Sequence, residues 1–135
     1  MNARPFLDTN VLVYAFAAND ARGAVAEALV AAGGIVSVQV LNEFVNVSRK
    51  KLRRSWADVQ AALDALGTLL DPPLPLTAEL HRRAVALARR HAFAFYDSLI
   101  IAAASQAKCR VLYTEDMQDG RTIAGVTVRN PFAPA

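Results

Sequence analysis

Three short apolar runs, PFLD at 5–8, IVSV at 35–38 and VLYT at 111–114, are set apart by longer segments with helical character. That alternation limits the fold more than any other feature of the chain. Four residues is strand length, whereas the segments between carry capping residues and abundant alanine and leucine. Thr9 is placed to cap a helix through VLVYAFA, and Asp20 to open a second through ARGAVAEALVAA, which Gly33 and Gly34 stop. Ser37 caps a third from about Val38 to Leu52, and Ser55 with Asp58 three residues on has the form of a capping box for a fourth ending near Leu70. DPPLPL marks a connection, Thr77 caps a fifth helix to about His91, and YDSLIIAAASQAK reads as a sixth. VTV at 126–128 is one more strand candidate. Strands alternating with helices of this length specify an α/β domain with a mainly parallel sheet and helices on both faces.

No repeat, low-complexity tract or linker divides residues 1–135, so they are expected to form one domain with a substantial core. Although 54% of residues are hydrophobic, no apolar run approaches the roughly 20 residues that cross a bilayer. MNARPFLD has no apolar segment before Asp8, so neither signal nor transit peptide is expected; the expected location is the cytoplasm, with no membrane partner. The single cysteine, Cys109, cannot form an internal disulfide and is expected to be a buried thiol.

The net charge is +3, but its distribution says more. Asp8, Glu43, Asp97, Glu115, Asp116 and Asp119 fall in four places that are otherwise apolar or lie at strand ends, leaving the other acids outnumbered by basic residues that include RKKLRR at 49–54. If the first six converge, the protein is a basic body around an acidic hole, attractive to a polyanion outside and to cations within. Asp8 and Asp116 each follow a strand candidate, at the carboxyl edge where open α/β sheets bind ligands. Glu43 sits at the rim of a helical stripe of Val40, Leu41, Phe44, Val45 and Val47. Asp97 shares a face with Ile100, Ile101 and Ala104.

Each acid has an ordinary explanation: Asp97 as a helix cap, Glu43 as the partner of an arginine, Asp8 as an acceptor of backbone hydrogen bonds. Together, repelling carboxylates stay ionised only with cations between them. An all-oxygen donor set suits Mg²⁺ or Mn²⁺ and suits zinc poorly. His81 and His91 are ten residues apart and do not share a helical face; no serine–histidine pair or phosphate-binding glycine loop stands out. Metal-activated water is then the nucleophile, with Asp8, Glu43, Asp97 and Asp116 as ligands, one or two ions remaining open. In-line attack on a phosphodiester leaves a 3'-hydroxyl and a 5'-phosphate. Asn10 and Thr114 are candidates to orient the acids. Asp119 in MQDG is either a further ligand or an ordinary turn residue, and Glu115 need not point the same way as Asp116. Arg49, Lys50, Lys51, Arg53 and Arg54 are candidates for nucleic-acid backbone contacts, or else a solvated helix end.

DTNVLVY at 8–14, LNEF at 41–44, YDSLIIAAA at 96–104 and YTED at 113–116, in that order, resemble the four motifs of the PIN-domain ribonucleases and, more narrowly, of the VapC-like toxins of type II toxin-antitoxin pairs. The resemblance implies a three-layer α/β/α sandwich with a central parallel sheet of about five strands. It also implies an Mg²⁺- or Mn²⁺-dependent endoribonuclease, a homodimer, and inhibition by a cognate antitoxin protein. The fourth motif departs from many relatives by reading TEDMQDG, which gives Asp119 some claim on the role of Asp116. The resemblance does not name the RNA. The same chemistry would serve a deoxyribonuclease or flap-type nuclease, and the acids could instead hold one ion in a non-catalytic RNA-binding domain.

Overall fold

The computed structural model describes residues 3–17 and 19–134. Its sheet begins with β1 (Phe6–Leu7), two residues with no solvent exposure. β1 pairs in parallel with β2 (Val111–Tyr113), placing Phe6 opposite Leu112 and Leu7 opposite Tyr113. β2 in turn pairs in parallel with β4 (Val126–Arg129). β3 (Thr122–Ile123) runs antiparallel to β4, giving the order β1-β2-β4-β3.

IVSV is extended but makes isolated bridges in place of a ladder: Ile35 bridges Phe6 and Ser37 bridges Leu74. The reason is local. Ser37 leaves the extended run to cap the next helix, so only a few backbone groups remain to pair with β1 on one side and the proline-rich connection on the other. Gly34 suits this close approach, since a Cβ would lie 3.1 Å from the Pro5 carbonyl oxygen and 3.2 Å from the Leu7 side chain and would press both aside by a few tenths of an ångström. β3 was not anticipated. It forms a hairpin with β4 across Ala124 and Gly125, both at positive φ (52° and 81°), the backbone of a tight two-residue turn.

Six helices follow the expected order: α1 (Thr9–Ala15), α2 (Arg22–Ala31), α3 (Val38–Lys50), α4 (Trp56–Leu69), α5 (Ala78–His91) and α6 (Phe95–Gln106). Ser37, Ser55 and Thr77 cap α3, α4 and α5 through their hydroxyls, as their sequence positions suggest. Two expected caps differ. α1 is capped by Asp8, whose carboxylate accepts from the Thr9 amide, while Thr9 is the first helical residue. The residue before α2 is Ala21, and Asp20 instead accepts from the Arg22 amide one position earlier.

α6 packs on β2, β4, α3 and α5, and every residue from Ser98 to Ala104 is buried, which explains its apolar character on all sides. α1 packs against α2 and α3, and α4 against α2 and α3. The result is a central sheet flanked by helices, the α/β/α arrangement expected from the sequence, with a core that includes Phe6, Leu7, Phe44, Ile100, Ile101 and Leu112. Cys109 lies within this core. Among the described residues, no helix is long and apolar enough to cross a membrane.

Candidate active site

Parallel strands β1 and β2 end side by side, and their next residues carry the polar centre of the molecule. Asp8 follows β1 and is 4% exposed. One carboxylate oxygen accepts from the Thr9 amide at 2.7 Å and the other from the Thr114 hydroxyl at 2.8 Å. Burial raises the Asp8 carboxyl to about 6; those two hydrogen bonds oppose the rise, and the charges of Glu43 and Asp116 add to it.

Thr114 follows β2 and has no solvent exposure. Its hydroxyl gives its proton to Asp8 and accepts from Asn10 Nδ2 at 2.9 Å and from the Asp116 amide at 3.1 Å. Asn10 also donates to Asp116 Oδ2 at 3.2 Å and accepts from the Glu115 amide at 3.3 Å. A single hydroxyl and a single amide therefore join α1, the end of β1 and the loop after β2.

Glu43 reaches this centre from α3. The Thr9 hydroxyl donates to its Oε2 at 2.8 Å, and Gln39 donates to its Oε1 at 3.3 Å. Asp97 stands in the first turn of α6, half-buried, without acting as its cap. Its carboxyl is also raised, first by burial and then by the charges of Asp116 and Glu43. The four acids thus act on one another electrostatically, and among the described residues no arginine or lysine forms an ion pair with any of them.

That uncompensated, all-oxygen set fits a hard divalent cation by its chemistry. As the side chains stand, no three His, Cys, Asp or Glu residues among those described form a ready-made metal cage.

The PIN domain family profile matches residues 6–119, which span all four acids. The chain belongs to the PIN-domain family. Its backbone is similar to VapC20 of Mycobacterium tuberculosis, described as a sarcin-ricin loop cleaving toxin, at 24% identity over 82% of this chain and 90% of that one, TM-score 0.66. It is similar to a toxin-antitoxin complex from Klebsiella pneumoniae at 24% identity over 95% and 98%, TM-score 0.70. It is also similar to VapBC2 of Rickettsia felis, bound to a DNA fragment from its promoter, at 22% identity over 93% and 96%, TM-score 0.66. No curated protein sequence is significantly similar to the chain.

In this PIN domain a cleft of about 350 Å³ runs beside the acids, with Glu43 and Asp116 facing it together with Asn10, Tyr14 and Lys51. The remaining candidates lie apart from the acid group or are engaged elsewhere. Asp119 accepts from the Asn130 amide at 3.0 Å, tying the turn before β3 to the end of β4. Glu115 lines the same cleft but is bound by the Tyr14 hydroxyl and lies 3.4 Å from Arg22, whose guanidinium stacks on the Tyr14 ring. His81 and His91 pack against Phe95 and Phe93.

Within the basic run, Arg49 stacks on Trp56 and donates to the Arg54 carbonyl, while Arg54 donates to the Phe16 carbonyl at the end of α1. Lys50, Lys51 and Arg53 are exposed, and of the five only Lys51 faces the cleft. Sequence reasoning missed the role of Thr9, which ties α1 to Glu43, because its position beside a helix start was fully explained by capping. It also missed the Tyr14–Glu115–Arg22 group, for which the sequence carries no signal.

Proposed function

We propose that this PIN domain is an endoribonuclease toxin that hydrolyses RNA phosphodiester bonds with Mg²⁺, for which Mn²⁺ substitutes. It is held inactive by a cognate antitoxin, and it works as a homodimer in the cytoplasm. The observation that carries this reading is the set of four carboxylates, from the residue after β1, from α3, from α6 and from the loop after β2, whose charges reach one another without a paired cation among the described residues. Similarity to a loop-cleaving toxin and to toxin-antitoxin complexes supports the toxin role, the RNA substrate and the protein partner.

Asp8, Glu43, Asp97 and Asp116 are the residues that would hold the cation. The chemistry a divalent cation supplies when bound is activation of water and neutralisation of charge on the phosphoryl oxygens. The chain's own contribution is orientation. Thr114 and Asn10 fix Asp8 and Asp116 relative to each other, and Thr9 fixes Glu43. Lys51, at the cleft wall, offers a positive charge to a phosphate of the substrate, and Lys50 and Arg53 extend it outward. Expulsion of the 3' oxygen yields a 3'-hydroxyl and a 5'-phosphate without a ribose 2'-hydroxyl taking part.

Inducible expression in bacteria tests the toxin role. Growth arrest with RNA cleavage is expected from the wild-type protein and not from Asp97→Asn at equal soluble abundance. Normal growth and intact RNA in cells rich in soluble wild-type protein would count against it.

A further inference from the structure

A second hollow, about 400 Å³, adjoins the acid cleft at Glu43 and Asn46. Its floor is one face of α3, where Gln39, Asn42, Glu43 and Asn46 recur at helical spacing. Its remaining wall is Tyr96, the residue immediately before Asp97 on α6.

Two features of this hollow are left open to a ligand. Tyr96 is 61% exposed and meets Phe95 edge-on, so much of a large aromatic side chain is left in water at the rim of a polar cleft. The side-chain amides of Asn42 and Asn46 make no hydrogen bond to any described residue. Gln39, by contrast, is committed to Glu43. An exposed ring facing free amides is the combination by which proteins bind unpaired RNA bases: the ring stacks on the base and the amides bond its polar edge.

We propose that this hollow is a nucleobase subsite, in which an unpaired base next to the scissile phosphate stacks on Tyr96 and is read by Asn42 and Asn46. The proposal rests on the ribonuclease reading above and gives that site a source of sequence preference. Tyr96 precedes Asp97 and Asn42 precedes Glu43, so a base held here is tied through the backbone to two of the four acids. Each amide offers both a donor and an acceptor, enough to distinguish bases by their edges.

The test is fluorescence anisotropy with short labelled single-stranded oligomers of rA, rC, rG and rU, in EDTA so that binding is read without cleavage. The wild-type protein is expected to prefer one oligomer. Tyr96→Ala is expected to weaken binding of all four by about tenfold, while Tyr96→Phe retains it, as stacking requires. Asn42→Ala combined with Asn46→Ala is expected to flatten the preference without abolishing binding. Under Mg²⁺, Tyr96→Ala is expected to raise KM more than it lowers kcat and to broaden the bases found beside the cut.

Unchanged affinity in Tyr96→Ala, unchanged preference in the asparagine variant, or no binding of any oligomer by folded wild-type protein would each overturn the subsite. Binding with these dependences but no cleavage under Mg²⁺ would remove the ribonuclease reading and leave the subsite standing. Cleavage that ignores Tyr96 would do the reverse.

Discussion

Asp8→Asn should gain stability relative to wild type as the pH rises from about 4 to 7.5, while removing a proposed metal ligand. Folding moves the Asp8 carboxyl from an ordinary 3.8 to about 6, chiefly by burial. The difference corresponds to about 3 kcal/mol against folding once the group is ionised in both states. The sign follows from the direction. A carboxyl raised on folding favours the native state when protonated, so its contribution is fully present below about pH 4 and is lost as the pH rises through about 6.

Asparagine has no charge to bury and keeps one acceptor, which can serve the Thr9 amide. Its amide group would then face the Thr114 oxygen, which already accepts from Asn10 and the Asp116 amide, and the Thr114 proton would lose its partner. Each buried donor left unpaired in this way costs about 1–3 kcal/mol, at every pH. The expected result is a variant whose stability relative to wild type improves by about 2–3 kcal/mol between pH 4 and pH 7.5, starting from a deficit at the acid end. Asp97 is raised in the same direction, but it is common to both proteins and cancels in the difference. Urea unfolding in EDTA at several pH values measures this directly. A difference that does not change with pH, or one that turns further against Asp8→Asn as the pH rises, would refute the claim that the Asp8 charge is buried at a cost.

Thr114→Val removes the hydroxyl that serves Asp8, Asn10 and Asp116, and should destabilise the fold by about 1–3 kcal/mol in urea unfolding, with Thr114→Ser close to wild type. Mg²⁺ at a hundredfold excess over its Kd should stabilise wild type by about 2.7 kcal/mol and should not stabilise Asp116→Asn; equal stabilisation of both would place the ion elsewhere. Lys51→Ala should weaken RNA binding and lower its salt dependence by about 0.7 in the logarithmic slope, as read by salt titration. Arg49→Ala should instead lower stability through the lost Trp56 stacking, with a smaller effect on the slope.

Features set by local chemistry were the most legible. The hydroxyl caps Ser37, Ser55 and Thr77 are decided within one helical turn and could be read directly. Asp8 and Thr9 are both good capping residues in adjacent positions, and only the strand end decides which one caps. β3 escaped notice because Ala-Gly is a weak hairpin signal beside Asn-Gly, and two residues carry no periodicity. IVSV had the composition of a strand, but whether it forms a ladder depends on a distant connection at Leu74.

The same division runs through the site. That Asp8 and Asp116 would lie near the carboxyl edge of the sheet was legible, because each follows a strand candidate in a mainly parallel arrangement. The partners of those acids were not, since Thr9–Glu43, Tyr14–Glu115 and Thr114–Asp8 are contacts between residues far apart in the chain. Likewise RKKLRR gave no hint that Arg49 and Arg54 are held by Trp56 and the Phe16 carbonyl, leaving Lys51 to face the cleft.

Cleavage of total cellular RNA by purified, antitoxin-free protein, with Mg²⁺ or Mn²⁺ and with end mapping, tests the account's central claim most directly. Discrete fragments bearing 5'-phosphates, absent in EDTA and absent with Asp8→Asn, are the expected result. Intact RNA in the presence of folded wild-type protein and metal, or equal cleavage by Asp8→Asn, would contradict it.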